Sequence, residues 1–274
     1  LLELLIKYSG TNRQHDKDLK LSISIIGKPN SGKSTLFNSL LNKERSIVSD
    51  IPGTTRDSLT EQVIFDDKIY NVIDTAGVPR KKQKEQIDRY ASNLSIYSLE
   101  TSLIAFVVVD STQGINFEDM RLINESINNY CTPILIMNKW DLLNEDEKFR
   151  INSTLNSHLK KFNWIKVIRI SALTKKGLDK FSKTINEIYL QLDSRIDTSD
   201  LNLFFRELWV SSPPHPFRGR RAKLKYVTQY DTNPPSFSFN LSSRIPKNYE
   251  AFIENKIRKE FKFSNVSMLL KFKN

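Results

Sequence analysis

Short apolar runs alternate with amphipathic stretches over most of the chain. The runs predict strands near residues 21–26, 59–65, 69–74, 102–109, 133–137 and 166–170. Apolar positions that recur every three or four residues predict helices near residues 33–42, 85–99, 117–130, 145–161 and 177–193. Such an alternation predicts an α/β domain with a parallel-rich sheet. Because crossovers in these sheets are right-handed, the functional loops are expected at the carboxyl edge of the sheet.

The pattern changes after residue 192. Residues 193–200 form a polar hinge without Gly or Pro. The chain then predicts a helix over 200–210, strands over 222–230 and 236–242, a helix from Pro246 and a strand over 266–272. The apolar side chains of the last helix share one face: Tyr249, Phe252, Ile253, Ile257 and Phe261. The order α-β-β-α-β predicts a small α+β domain of the KH-like kind.

These patterns divide the chain into three segments. Residues 1–6 are apolar and residues 8–20 polar, so we interpret residues 1–20 as the remnant of an upstream domain and a linker. No methionine opens the chain, and we expect that residue 1 is not the natural start. Residues 21–196 then form the α/β domain, and residues 197–274 the KH-like domain.

A glycine-rich stretch carries the strongest chemical signal. It fits the P-loop pattern G-x-x-x-x-G-K-[ST], with a predicted strand before it and a helix after it. Glycines let backbone N–H groups curl around a phosphate, and the amides that open a helix favour anions. We expect Lys33 to reach the outer phosphates and the Ser34 hydroxyl to bind Mg²⁺. The loop comprises Gly27, Lys28, Pro29, Asn30, Ser31, Gly32, Lys33 and Ser34.

Two further segments are expected to face the terminal phosphate. The long loop over 43–58 contains Thr54 and Thr55, of which we favour Thr55 to complete the Mg²⁺ shell. Asp74 ends a strand and is expected to hold Mg²⁺ through water, while the Gly77 N–H faces the γ-phosphate. Val78 occupies the position at which Ras-like proteins place a water-orienting glutamine, so that side chain is missing there. The whole segment is Asp74, Thr75, Ala76, Gly77 and Val78.

A third set of residues predicts a preference for guanine. It comprises Asn138, Lys139, Trp140, Asp141, Ser171, Ala172 and Leu173, which follow two apolar strands. The Asp141 carboxylate would accept hydrogen bonds from N1 and N2 of guanine, and adenine lacks the matching donors. Asn138 is expected to fix the loop and the Lys139 stem to cover the base. A backbone N–H of residues 171–173 would meet the guanine O6.

Charge and composition narrow the class of partner. The chain carries +11 in total, and residues 199–274 hold 14 Lys and Arg against 6 Asp and Glu, a net +8. A basic module predicts a polyanionic partner, although a solvated lysine-rich surface would have the same composition. No run approaches the ~18 apolar residues of a membrane helix, so no membrane partner is expected. The single cysteine, Cys131, is expected to be buried packing and favours a cytoplasmic location.

Taken together, the motifs resemble those of the Der (EngA) family of bacterial GTPases. The motifs shared with related GTPases lie at residues 27–34, 52–57, 74–77 and 138–141. The more specific ones are Pro-Pro-His-Pro at 213–216, Gly-Arg-Arg at 219–221, residues 226–229 and the Pro-Pro pair at 234–235. The resemblance covers nearly the whole chain, which is similar to the second GTPase domain and the KH-like domain of a Der protein.

That resemblance implies a GTP-hydrolysing switch in ribosome biogenesis, with GTP or GDP and Mg²⁺ as ligands. The implied partners are the large ribosomal subunit, its rRNA and the first GTPase domain of the same protein. A K⁺ site is also implied, because related GTPases bind K⁺ beside an asparagine that Asn30 matches, and the Ser49 and Ile51 carbonyls would complete it. GTP would order the loops around Thr55 and Gly77 and change the face against which the C-terminal domain packs. The implied catalytic set is Lys33, Thr55, Gly77 and Asn30.

The KH-like segment departs from the usual RNA-binding pattern in one respect, and two alternative functions stay open. KH domains that clamp RNA use a Gly-x-x-Gly loop, and Gly219 is the only glycine in residues 197–274. Arg218, Arg220, Arg221 and Lys223 remain candidates for RNA contact, and a packing role against the first GTPase domain implied by the resemblance is the alternative. The first alternative is a GTP-gated protein-binding module. The second is a GTPase of tRNA modification, a class that shares Pro-Gly-Thr-Thr-Arg-Asp, although no modification domain is visible.

Overall fold

The computed structural model describes residues 22–41, 60–65, 68–74 and 98–274. The first part contains β1 (Ser22–Gly27), α1 (Lys33–Leu41), β2 (Thr60–Phe65), β3 (Lys68–Asp74), β4 (Ile104–Asp110), α2 (Phe117–Asn128), β5 (Thr132–Asn138), α3 (Glu145–His158), β6 (Lys166–Arg169) and α4 (Asp179–Leu192). The second contains α5 (Thr198–Ser211), β7 (Leu224–Thr232), β8 (Pro235–Leu241), α6 (Lys247–Glu260) and β9 (Leu269–Lys273). These bounds agree with the predicted elements to within a few residues. Most of the predicted helix over 85–99 lies outside the described residues.

The first sheet has the strand order β2-β3-β1-β4-β5-β6. β1, β3, β4, β5 and β6 run parallel, and β2 pairs antiparallel with β3 at the edge. In this register Ile25 lies opposite both Asp74, the last residue of β3, and Phe106, so β3 ends shortly before β1 and β4 extends slightly beyond it. The carboxyl edge therefore gathers the P-loop, the end of β3 and the residues after β5.

Helices on the sheet explain why its central strands are continuous apolar runs. Every residue of β4 and β5 is buried, as expected for parallel strands covered on both faces. The Phe181 ring of α4 packs edge-on against Phe106 of β4, with centroids 5.1 Å apart. Fully burying a side chain of this size stabilises the fold by about 1.5–3 kcal/mol.

The second sheet has the order β7-β8-β9, with β7 and β8 antiparallel and β8 and β9 parallel. Phe205 of α5 packs edge-on against Phe239 of β8 at a centroid distance of 4.9 Å. Ile253 and Ile257 of α6 are fully buried, as predicted for that face. The chain order of these elements is the predicted α-β-β-α-β, and α5 and α6 cover one face of the sheet.

Contacts between the two parts lie at the amino ends of β5 and β6. Arg258 of α6 is only 8% exposed, and its guanidinium carbon lies 4.3 Å from the Trp164 ring centroid. The same guanidinium donates to the carbonyls of Phe263 at 3.1 Å and Val266 at 2.8 Å. Ser267, in the loop so held, donates from its backbone N–H to the Thr132 hydroxyl at 3.1 Å. These contacts therefore lie at the edge of the sheet opposite the P-loop.

One apolar cluster also runs through both parts, from β1 and β4 to α5, β8 and the loop after α6. Cys131 is buried, as expected, and its carbonyl accepts a hydrogen bond from the Ser267 hydroxyl at 3.0 Å. In the part of the chain that the structure describes, no helix is long and apolar enough to cross a bilayer.

Candidate functional site

The P-loop adopts a backbone path that requires its glycines. Gly27 and Gly32 have φ angles of 151° and 96°, a region that side chains with a Cβ rarely adopt. A Cβ on Gly27 would overlap the Val108 carbonyl, and one on Gly32 would overlap the Asn138 side-chain amide. Asn30 adopts φ 63°, the left-handed region that asparagine tolerates best among the non-glycine residues. The loop is therefore a tight curl that packs closely against β4 and the Asn138 side chain.

The lysine and serine that end the motif lie where α1 begins. The Lys33 ammonium donates to the Lys28 carbonyl at 2.7 Å, which returns it to the start of the same loop. The Ser34 side chain is exposed on the first turn of the helix. Both groups are thus placed to meet an anion and its metal at a helix N-terminus.

Asn138 links the P-loop to both loops that were predicted to bind the base. It is 2% exposed, and its amide donates to the Ser31 carbonyl at 2.9 Å. Its side-chain oxygen accepts from the Ala172 N–H at 2.9 Å. One buried side chain therefore fixes three segments that are far apart in sequence.

Lys139 makes a second connection to the P-loop. Its ammonium donates to the Asn30 carbonyl at 3.1 Å and forms an ion pair with Asp110 at 2.6 Å. Burial disfavours the ionised Asp110, but hydrogen bonds from Lys139 and Thr112 outweigh it and lower the pKa of the carboxyl. Asp110 therefore stays ionised and holds the lysine against the loop.

The segment that follows β5 and carries Trp140 and Asp141, called here the Trp140 loop, is supported from β6. The Arg169 guanidinium carbon lies 5.2 Å from the Trp140 ring centroid, and Arg169 also donates to the Asn152 side chain at 2.6 Å. The Trp140 N–H donates to the Ile170 carbonyl at 3.0 Å. Asp141 follows Trp140 and is exposed, so its carboxylate is accessible to a ligand.

Residues 171–173 form a turn whose amides differ in availability. The Ser171 N–H donates to the Lys176 carbonyl at 3.0 Å, and the Ala172 N–H is bonded to Asn138. Leu173 is 81% exposed. Of the three amides, that of Leu173 is therefore the candidate for the guanine O6.

A buried ion pair anchors the other side of the P-loop. The Lys28 ammonium lies 3.3 Å from the Asp119 carboxylate, whose side chain is fully buried. Asp119 also accepts from the Asn116 N–H at 3.0 Å within the capping box that starts α2. Burial raises the pKa of Asp119, and the bonds from Asn116 and Lys28 oppose this only in part.

The predicted Mg²⁺ ligands are oxygen atoms, as that ion requires. β3 ends at Asp74, which lies opposite Ile25 in the sheet and so beside the P-loop. The exposed Ser34 hydroxyl fits the same ion. The other predicted phosphate and metal contacts lie outside the described residues: Thr54, Thr55, Thr75, Ala76, Gly77, Val78, Ser49 and Ile51.

Sequence reasoning missed three charged residues that support the site: Asp110, Asp119 and Arg169. Asp110 had a usable signal, because an acid that ends a buried strand at the carboxyl edge lies beside the P-loop. Asp119 looks like an ordinary capping residue. Its partner Lys28 is far away in the sequence, so no local sequence pattern predicts their pairing. Arg169 ends a strand as an isolated cation, and only the fold places it over Trp140.

Comparison with known proteins agrees with this geometry. A family model described as 50S ribosome-binding GTPase matches residues 22–139. Another, described as KH-domain-like of EngA bacterial GTPase enzymes, C-terminal, matches residues 195–273. GTPase Der of Chlorobium limicola is 36% identical over 262 residues, 94% of this chain and 60% of that protein. GTPase Der of Clostridium botulinum strain Langeland is 35% identical over 279 residues, 100% of this chain and 64% of that protein.

The fold and the site define a P-loop GTPase domain followed by a KH-like domain. The chain is similar over nearly its whole length to bacterial GTPases of the Der (EngA) family. It spans about three fifths of the length of the curated relatives that it matches. A solved structure of Era in complex with MgGDPNP and part of 16S ribosomal RNA is 23% identical, covers 92% of this chain and 91% of that one, and has a TM-score of 0.49.

Proposed function

We propose that the chain binds and hydrolyses GTP and acts as a switch in assembly of the large ribosomal subunit. The buried Asn138 carries the proposal, because it joins the phosphate loop to both base-binding loops through bonds of 2.9 Å. Such a connection suits a ligand with phosphates at one end and a base at the other. The domain division 21–196 and 197–274 is part of the same proposal.

Each residue has a distinct task in this proposal. The P-loop amides and Lys33 hold the phosphates, and Asp141 with the Leu173 N–H selects guanine. Ser34, Thr55 and Asp74 would hold Mg²⁺, which neutralises charge on the β- and γ-phosphates when bound. Because Val78 cannot orient water, the Gly77 N–H and a K⁺ beside Asn30, Ser49 and Ile51 would offset the developing charge.

The ribosomal partner rests on the family description and on charge. The matching family is described as ribosome-binding, and residues 199–274 carry a net +8. Arg218 and Gly219 form the centre of a tight turn, with φ angles of 50° and 75°, that exposes Arg218, Arg220 and Arg221. A polyanion such as rRNA is the partner that this turn favours.

The test is co-sedimentation with isolated large subunits, in GDP and in a non-hydrolysable GTP analogue. We expect binding to differ between the two nucleotides, because one state fits the ribosome better. The Asp141→Asn chain is the control, since it should lose the GTP effect without losing its fold. Equal binding in both nucleotides would overturn the switch, and absence of GDP binding would overturn the nucleotide assignment.

A further inference from the structure

The KH-like sheet has a second face, which α5 and α6 do not cover. Val227, Phe237 and Phe239 point toward the helices and are fully buried. Side chains alternate along a strand, so the intervening positions point the other way. This outer face includes Tyr226, Thr228 and, at a shift in the β7–β8 register, Tyr230, together with Ser238, Asn240, Lys271 and Lys273 of the neighbouring strands.

The outer face presents two aromatic rings beside two ammonium groups. Tyr226 is 49% exposed and Tyr230 is 42% exposed, and both lysines are exposed. The Asn240 amide donates to the Tyr226 hydroxyl at 3.2 Å, which holds that ring in place. The Lys271 ammonium lies 5.0 Å from the Tyr230 ring centroid. Ser238 of β8, which lies opposite both Thr228 and Lys271, is 9% exposed.

This chemistry matches unpaired nucleotides. Exposed aromatic rings stack on bases, and such stacking tolerates any sequence. A duplex hides its base faces, whereas a single strand offers both bases and phosphates. At about 3.3 Å per residue, Tyr226 and Tyr230 are about 13 Å apart, so they would engage two bases that are not adjacent. The carboxylate on this face, Asp231, is half-buried and accepts from the Thr232 N–H at 2.8 Å.

We propose that the outer face of the KH-like sheet binds single-stranded RNA, with bases stacked on Tyr226 and Tyr230 and phosphates paired with Lys271 and Lys273. The inference rests on the proposed ribosomal function and adds to it a surface and a form of RNA. It also gives a domain without a Gly-x-x-Gly clamp a different route to RNA. Arg218, Arg220 and Arg221 then contribute charge without reading single strands.

The test uses the whole 274-residue chain and fluorescence anisotropy with labelled oligo(U) of about 12 nucleotides, beside an RNA duplex of equal charge. Tyr226→Ala with Tyr230→Ala should weaken oligo(U) binding by about 10-fold or more and leave duplex binding unchanged. Changing both tyrosines to Phe should restore it, because the ring remains. Lys271→Ala should reduce the log–log salt slope by ~0.7.

Two controls separate this inference from the proposed function. Phe149→Ala removes an exposed aromatic residue on α3 and should leave RNA binding unchanged. GDP affinity and melting temperature should match the unmodified chain in every variant, which shows that the fold and the nucleotide site are intact. Unchanged oligo(U) binding in the tyrosine double variant, or failure of the unmodified chain to prefer oligo(U), would overturn the inference alone. If the tyrosine double variant loses ribosome binding but keeps its oligo(U) binding, the inference is also overturned. The outer face would then contact a protein.

Discussion

Asp141 is exposed at the end of a loop that is otherwise firmly held, as a side chain that selects a ligand should be. We expect Asp141→Asn to weaken GDP binding by roughly 100-fold, about 3 kcal/mol, because two hydrogen bonds to a charged acceptor are lost. XDP should gain affinity, because its N1–C2 edge offers an acceptor to the amide. Titrations of labelled GDP, XDP and ADP measure this, and equal ADP and GDP affinity in the unmodified chain would contradict the role of Asp141.

Asn30 combines an exposed side chain with a left-handed backbone that Lys139 fixes through the Asn30 carbonyl. We expect hydrolysis to be about 10-fold faster in K⁺ than in Na⁺, below the ~10³–10⁵ of an arginine finger. Asn30→Ala should erase the difference while GDP affinity is retained. Hydrolysis assays in the two salts test this, with Asn30→Asp as a variant that keeps an oxygen ligand. Equal rates in K⁺ and Na⁺ would refute the site.

Asp110 and Asp119 make opposite contributions to stability as pH changes. The pKa of Asp119 is raised by burial, so its contribution is complete below the unfolded value of ~3.9 and is lost as pH rises through the folded value. The pKa of Asp110 is lowered by Lys139 and Thr112 against the effect of burial. Its contribution is complete above ~3.9 and is lost as pH falls through the folded value.

Replacing each aspartate with asparagine should therefore change the pH profile in opposite directions. Asp119→Asn should remove part of the loss of unfolding free energy above pH ~3.9, and Asp110→Asn should remove part of the loss below it. Urea unfolding across this range, with both variants beside the unmodified chain, is the measurement. Profiles that run parallel to that of the unmodified chain would show that neither carboxyl has a perturbed pKa.

At the scale of elements, the Trp140 loop depends on β6 and α3. Arg169 loses hydration by burial, which lowers its pKa, and it is held between Trp140 and Asn152. Arg169→Ala should weaken GDP binding by about 3- to 5-fold, mainly through faster dissociation, because a cation–π contact of ~0.5–1 kcal/mol is lost. Arg169→Lys should recover only part of it, since a lysine cannot reproduce the planar contact.

Stopped-flow release of a fluorescent GDP analogue measures this effect. Arg150→Ala, which changes an exposed arginine on α3, is the matched control and should release GDP at the unmodified rate. A variant at Arg169 with unchanged release would show that the Trp140 loop holds its position without β6.

The helices and strands could be predicted from the sequence, but the side-chain contacts that hold the loops of the site could not. β4 and β5 are buried at every residue, so their apolar runs are unambiguous. The P-loop and Asn138 were predictable because phosphate and guanine chemistry constrain residue types at fixed spacing. Lys28 with Asp119, and Arg169 with Trp140, were not predictable, because their pairing depends on which loops the folded sheet brings together.

At the scale of the whole molecule, the described domain contacts lie at the sheet edge opposite the P-loop. If the loops at the carboxyl edge, beside the P-loop, become ordered or disordered, the change would therefore not reach the Arg258–Trp164 contact directly. The shared apolar cluster and this contact instead make the two domains a single packed unit. We infer that a nucleotide alters the surface around the P-loop at the carboxyl edge of the sheet, while the KH-like domain keeps its place.

Because the two domains pack as one unit, we predict that GDP stabilises the KH-like domain although that domain does not contact the nucleotide. GDP at about 100 times its dissociation constant adds ~2.7 kcal/mol to a domain that binds only when folded. If both domains unfold together, hydrogen exchange at Phe237 and Phe239 of β8 should slow by the same free energy.

Arg258→Ala leaves the Phe263 and Val266 carbonyls unpaired and should destabilise the contact by ~3 kcal/mol. In that variant GDP should no longer protect β8, whereas the neighbouring exposed change Lys259→Ala should leave protection intact. Exchange at β8 that ignores GDP in the unmodified chain would show that the domains unfold independently, and the KH-like domain would then be free to reorient when the nucleotide changes.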